Sequence, residues 1–122
     1  MIYHITTETE WLKAEEKGAY TTPTLESEGF IHCSTREQVP QVANAFYLDI
    51  PELVLLCIDE AILTSEIKWE PPAHPNGDTT SRPTDEALFP HVYGPINVDA
   101  VVTMVPLHYD AEGHYKLSDE TP

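Results

Sequence analysis

The 122-residue chain carries 21 Asp and Glu against 6 Lys and Arg, a formal charge of −15, so it lacks the cations that hold DNA, RNA or an anionic membrane surface. With 41% apolar residues it can build one core of ordinary size and has no length for a second, so a single domain over residues 1–122 is expected. The opening MIYHITTETEW is not a leader sequence, and no apolar run nears the roughly 18 residues of a membrane span, which predicts a cytoplasmic protein.

Met1 to Thr6 is rich in β-branched and aromatic residues and predicts a first strand. Thr7 and Glu10 form a T-x-x-E capping box, and the following apolar pattern ends at Gly18, so a short helix comes next. Residues 19–28 carry turn formers around TTPT and read as an extended loop. Phe30 to Cys33 is the second strand. Ser34 and Glu37 form a second box, predicting a helix over residues 35–47 with Pro40 near its first turn. LVLLCI, residues 53–58, is apolar throughout and predicts a central strand buried on both faces. IKWEP, from Ile67, alternates like a half-buried strand. Residues 72–89 show almost no periodicity and read as a long loop, either a lid or an insertion. Val98 to Tyr109 predicts a long strand, at an edge or bulged because of Pro106, and HYKLS pairs with it across a turn at Asp110 to Gly113. The sum is an α+β domain with two early helices followed mostly by strands. Cys33 and Cys57 lie in apolar runs without CxxC spacing and read as buried free thiols.

Strand alternation puts His4 with Ile2 and Thr6 on one face, and His32 with Phe30 and Ser34 on one face of the second strand. In FPHVYGPI, His91 and Tyr93 share a face. Imidazoles titrate near neutral pH and both donate and accept, so three of them from separate extended segments suggest one ligand hollow, although each can equally be satisfied by backbone. Ser34, at the head of the second helix, and Arg36 in its first turn would hold an anion. Glu70 is a candidate base or oxocarbenium stabiliser if it is more than the solvent face of its strand, and Arg82 in the long loop a candidate lid residue. Clustered Cys and His at zinc-ligand spacing are absent, so no metal is expected and a metal-binding role ranks behind the others. Ser34 and His32 are too far apart along a strand, roughly 6.5–7 Å, for a nucleophile–base pair, and Cys33 faces away from His32.

The pieces YHI, EGFIHCS, QVANAFY, LLCID and FPHVYGPI together resemble a bacterial domain-of-unknown-function family, number nine-five-two, over nearly the whole chain. That family is similar in fold to ADP-ribosyltransferases, especially the His-His branch that includes RNA 2′-phosphotransferases. The resemblance implies a split antiparallel or mixed β-sheet whose cleft accepts NAD as substrate. It places His4 against the nicotinamide ribose and His32 beside the nicotinamide ring, with Ser34 close by. The third position of the transferases, a Glu on a later strand, falls to Glu70 or to the His91/Tyr93 pair. The acidic surface argues against an RNA substrate. The expected function is cleavage of the nicotinamide–ribose bond, by transfer or hydrolysis. The alternative is a non-catalytic module that binds a small nucleotide or a partner protein.

Overall fold

A computed structural model of the chain describes residues 1–71, 88–117 and 121–122. β1 (Ile2–Thr7) leads into α1 (Glu8–Lys17), then come β2 (Ala19–Tyr20), α2 (Pro23–Ser27) and β3 (Ile31–His32). A 3-10 turn at Arg36–Gln38 runs into α3 (Val39–Phe46), followed by β4 (Leu53–Ile58), β5 (Glu66–Glu70), β6 (Phe89–Tyr93) and β7 (Ile96–Asn97). Another 3-10 turn, Val98–Ala100, precedes β8 (Val101–Pro106), β9 (His108–Tyr109) and β10 (Tyr115–Lys116). No helix among the described residues is long and apolar enough to cross a membrane.

The strands form two antiparallel three-stranded sheets, β1–β4–β8 and β3–β6–β5, with short pairs β2–β7 and β9–β10. An isolated bridge joins the larger sheets: the Tyr3 N–H donates to Ser34 O at 2.8 Å and the Ser34 N–H to Tyr3 O at 2.7 Å. All six residues of β4 are buried, because this central strand separates two cores. Val54, Leu56 and Ile58 pack with Ile2, Trp11, Tyr20, Ile31 and Val92 on one side, and Leu53, Leu55 and Cys57 with Tyr3, Ile5, Val39 and Ala43 on the other. That period-two alternation fixes the register, since a one-residue slip would exchange every side chain between the cores.

The local signals mostly hold. Thr7 Oγ1 accepts from the Glu10 N–H at 3.2 Å, and α1 stops at Gly18 in the left-handed region. Pro106 sits in β8, at the edge of its sheet, and β9–β10 close over the predicted hairpin turn. Both thiols are free and buried; burial pushes the Cys57 thiol up to about 11, and Cys33 is raised as well.

Four expectations are corrected. Residues 23–27 are helical, because Pro23 takes the first helical position, where its missing N–H costs nothing. The cap of the next helical segment is Thr35, in a reciprocal box with Gln38, while the backbone of Ser34 serves the bridge to Tyr3. Continuous α-helix begins only at Val39, with Pro40 in its first turn. The long strand from Val98 is broken into a 3-10 turn, β8 and β9, the break after β8 falling at Pro106. Among the described residues the strand pairings are antiparallel, the first of the two alternatives expected. The long loop falls mostly outside the described residues.

Candidate functional site

Past the Tyr3–Ser34 bridge β1 and β3 part, and the His4 ring fills the opening. Its Nδ1 lies 2.6 Å from the carbonyl O of His32, so Nδ1 carries a proton and donates. Its Nε2 lies 2.8 Å from the Tyr20 hydroxyl, which in turn lies 2.8 Å from Thr6 Oγ1. Burial pushes the ring down to about 4, so it is neutral near pH 7. A neutral ring whose Nδ1 holds the proton has only a lone pair at Nε2, so the Tyr20 hydroxyl, placed to donate to Thr6 Oγ1, has one proton for two neighbouring acceptors.

Beside this ring opens a cleft of about 390 Å³, within the range typical of small-molecule sites. It is lined by His4, Thr6, Thr7, Glu10, Tyr20 and His32, by Thr21, Thr22, Pro23 and Thr24 of the β2–α2 segment, and by Ile5, Tyr47, Ile50 and Leu53. Thr22 and Thr24 Oγ1 are 2.7 Å apart, and Thr24 Oγ1 donates to the carbonyl O of Phe30 at 3.0 Å. Glu10 Oε2 is 3.4 Å from Lys13 Nζ, an exposed pair.

A second group lies on the far face of the β3–β6–β5 sheet. Ile31 and Val92 point into the first core, so Phe30, His32, His91 and Tyr93 stand on the opposite face. The Phe30 and His91 rings stack at 4.1 Å and 17°, and the His32 and His91 rings meet edge-on at 5.5 Å. Glu70 reaches across from β5: its Oε1 accepts from His91 Nδ1 at 2.7 Å and from the Tyr93 hydroxyl at 2.6 Å. These bonds, Tyr93 first, hold the Glu70 carboxyl below its usual range, and the same carboxylate pushes the Tyr93 hydroxyl up to about 12. Lys68 Nζ caps the Tyr93 ring at 4.6 Å from its centroid. His32 belongs to both places; its Nε2 is 3.3 Å from Glu28 Oε1.

The three imidazoles therefore do not share one hollow. His32 meets His91, while His4 looks to the other side and is tied off by a carbonyl and a hydroxyl. Glu70 stands with His91 and Tyr93, not with His4, so a single His4–His32–Glu70 constellation is not assembled. Ser34 is buried and Arg36 Nε donates to Thr121 O at 3.3 Å, so the pair forms no joint anion seat over the cleft. Arg82 lies outside the described residues. Tyr20, Thr22, Thr24 and Phe30 are site residues that residue-type reasoning passed over. For Tyr20 the available signal was an aromatic two residues past the Gly18 helix stop.

One group elsewhere has metal-ligand composition: single donor atoms of Asp110, Glu112 and His114, in the β9–β10 turn, lie within 4.8 Å of one another. Sequence spacing did not single it out, because it mixes two carboxylates with one His. Lys116 Nζ already stands 3.4 Å from Asp110 Oδ2.

No curated protein matches the chain. Among solved structures it is similar to protein CC0527 from Caulobacter crescentus. The crystal structure is 32% identical with TM-score 0.74, covering 94% of this chain and 92% of that one. The solution NMR structure of the same protein is also 32% identical with TM-score 0.74, over 98% and 95% of the two chains. With a family model matching residues 5–104, the chain belongs to the family described as protein of unknown function (DUF952).

Proposed function

We propose that this chain binds a nucleotide of the NAD class in the cleft beside His4, on an ADP-ribosyltransferase-like plan. The observation that carries the reading is the parting of β1 and β3 past one bridge, with an imidazole at the parting and a second, His32, on the cleft wall. Its volume of about 390 Å³ suits the nicotinamide–ribose end of a dinucleotide rather than the whole molecule. In this reading His4 acts as a positioning residue, since both its ring nitrogens are engaged within the protein. The ring that faces the ligand is His32.

A second reading adds turnover, and Glu70 favours it. A carboxylate that holds His91 by Nδ1 fixes that ring, and His91 meets the His32 ring of the cleft wall edge-on at 5.5 Å, so Glu70 would orient His32 at one remove. In hydrolysis, water oxygen would bond to ribose C1′ as the C1′–nicotinamide bond breaks, nicotinamide leaving with the electron pair and the water proton passing to a base.

The test is an NMR titration with NAD, following the cleft threonine and His32 signals, beside an assay for released nicotinamide. Saturable shifts at Thr22, Thr24 and His32 support binding, and nicotinamide release that falls at least tenfold in Glu70→Gln supports turnover. Absence of any shift at millimolar NAD overturns the cleft reading.

A further inference from the structure

The stretch EGFIH places a carboxylate four residues ahead of an imidazole, and the fold closes the gap between them. α2 ends at Ser27; the Glu28 N–H donates to Thr24 O at 2.7 Å, and the Gly29 N–H reaches Thr24 O and Leu25 O, each at 3.1 Å. Gly29, at φ 90°, then turns the chain back into β3 through the left-handed region that favours glycine. Glu28 Oε1 thereby comes within 3.3 Å of His32 Nε2. Among the described residues the chain thus holds two Glu–His pairs, Glu70–His91 and Glu28–His32, and only one of them meets the cleft. The His91 side chain is 3% exposed and stands outside the cleft lining, whereas that of His32 is 36% exposed and lines it. The His32 ring packs against Phe30, tilted at 4.8 Å, and against His91, and among the described residues its Nδ1 has no hydrogen-bond partner. The other cleft imidazole, His4, has both nitrogens engaged.

We infer that His32 is the base of the cleft and that Glu28 is its positioning residue, a carboxylate that balances the charge the ring takes up with a proton. The inference rests on the cleft binding a nucleotide of the NAD class and on turnover there. As water oxygen bonds to ribose C1′, nicotinamide leaves with the electron pair of the broken C1′–N bond and the water proton passes to His32 Nδ1. The imidazolium so formed stands beside a carboxylate, and the ring returns its proton to solvent to close the cycle. In transfer, the hydroxyl of an acceptor replaces the water and gives up its proton in the same way. The other charged and titratable groups around the ring do not supply this balance. His91 of β6 is tied to Glu70, and His4 of β1 is neutral and bonds only the His32 carbonyl. Glu10 of α1, elsewhere on the cleft lining, is paired with Lys13 at 3.4 Å. Glu28 is the carboxylate at ion-pair distance from His32 among the described residues.

The test follows nicotinamide release by the full chain between about pH 5 and 8 in the parent, Glu28→Gln, Glu28→Asp and Glu70→Gln, with NAD affinity read from the cleft shifts. Glu28 is one-third exposed, and its backbone rather than its carboxylate makes the turn bonds, so the fold is not at stake. Glu28→Gln should lower kcat at least about tenfold, more than Glu70→Gln does, with little change in NAD affinity. It should also move the acid limb of the rate to lower pH, because loss of a neighbouring anion disfavours the charged imidazole. Glu28→Asp should restore part of the rate. A Glu28→Gln variant with the parental rate and limb, or with a smaller loss than Glu70→Gln, overturns the inference while leaving binding and turnover in place. Saturable cleft shifts without nicotinamide release in the parent remove turnover and the base together, and absence of any cleft shift removes the site itself.

Discussion

His4 and His91 are both buried imidazoles that donate through Nδ1, yet they stand on opposite sides of β3 in opposite electrical settings. The partners of His4 are a carbonyl and a hydroxyl, neither able to balance a ring charge, and burial keeps the ring neutral. His91 leans on a carboxylate that is itself held ionised by two donors. The difference teaches that burial alone does not assign a histidine's task. A neutral partner set makes His4 a fixed wedge between two strands, whereas an anionic partner fixes the orientation and tautomer of His91.

The largest expected effect comes from removing the wedge. His4→Ala opens a cavity between β1 and β3 and strips partners from the buried Tyr20 hydroxyl and the His32 carbonyl. It should cost about 3–5 kcal/mol in urea unfolding, the cavity and the orphaned polar groups adding together. A loss below about 1 kcal/mol would mean the strands are held by the Tyr3–Ser34 bridge without help from the ring.

Acid should do part of the same damage reversibly. The folded pKa of His4 lies near 4, below the 6.5 of an unfolded histidine, so the unfolded chain binds its proton first. The contribution of His4 is intact above pH 6.5, declines as pH falls, and is lost near pH 4. At 1.36 kcal/mol per unit the decline amounts to about 3 kcal/mol. The depressed carboxyl of Glu70 contributes in a lower window, below its usual 4.5, so the two are separable. Stability measured between pH 7 and 4.5 should fall in the parent chain, and the slope in that window should flatten in His4→Gln. Equal slopes would place the pH dependence in other groups.

How much of this was visible in the residues follows from the range of the forces involved. Local signals gave β1, the α1 cap and stop, the buried β4 and the final hairpin, because each depends on neighbours within a few positions. The alternation in FPHVY placed His91 and Tyr93 on one face, and that of EGFIH placed His32 with Phe30. What alternation cannot supply is which side of a sheet faces which neighbour. The separation of His4 from His91 arises where β1 and β3 part, a relation between residues 28 positions apart. Glu70 was singled out for its chemistry without a partner for the same reason: its partners are fixed by the β5–β6 register, Lys68 opposite His91 and Glu66 opposite Tyr93.

The smallest effect sharpens the comparison from the His91 side. Glu70→Gln keeps the size of the side chain and removes the charge, so Tyr93 loses the anion that pushes its hydroxyl up to about 12. Its titration, followed by tyrosinate absorbance or by NMR of the ring, should move back toward 10. Glu70 and Tyr93 sit on the outer face of their sheet, so the fold should lose no more than about 1 kcal/mol. The His4 pH window should be untouched, since Tyr20, Thr6 and the His32 carbonyl are unaltered. A variant in which the Tyr93 titration stays put would show that the carboxylate does not govern this face, and would remove the ground for treating His91 differently from His4. If instead both the Tyr93 titration and the His4 window move together, the two sides of β3 are coupled through His32, whose carbonyl takes the His4 bond and whose ring meets His91.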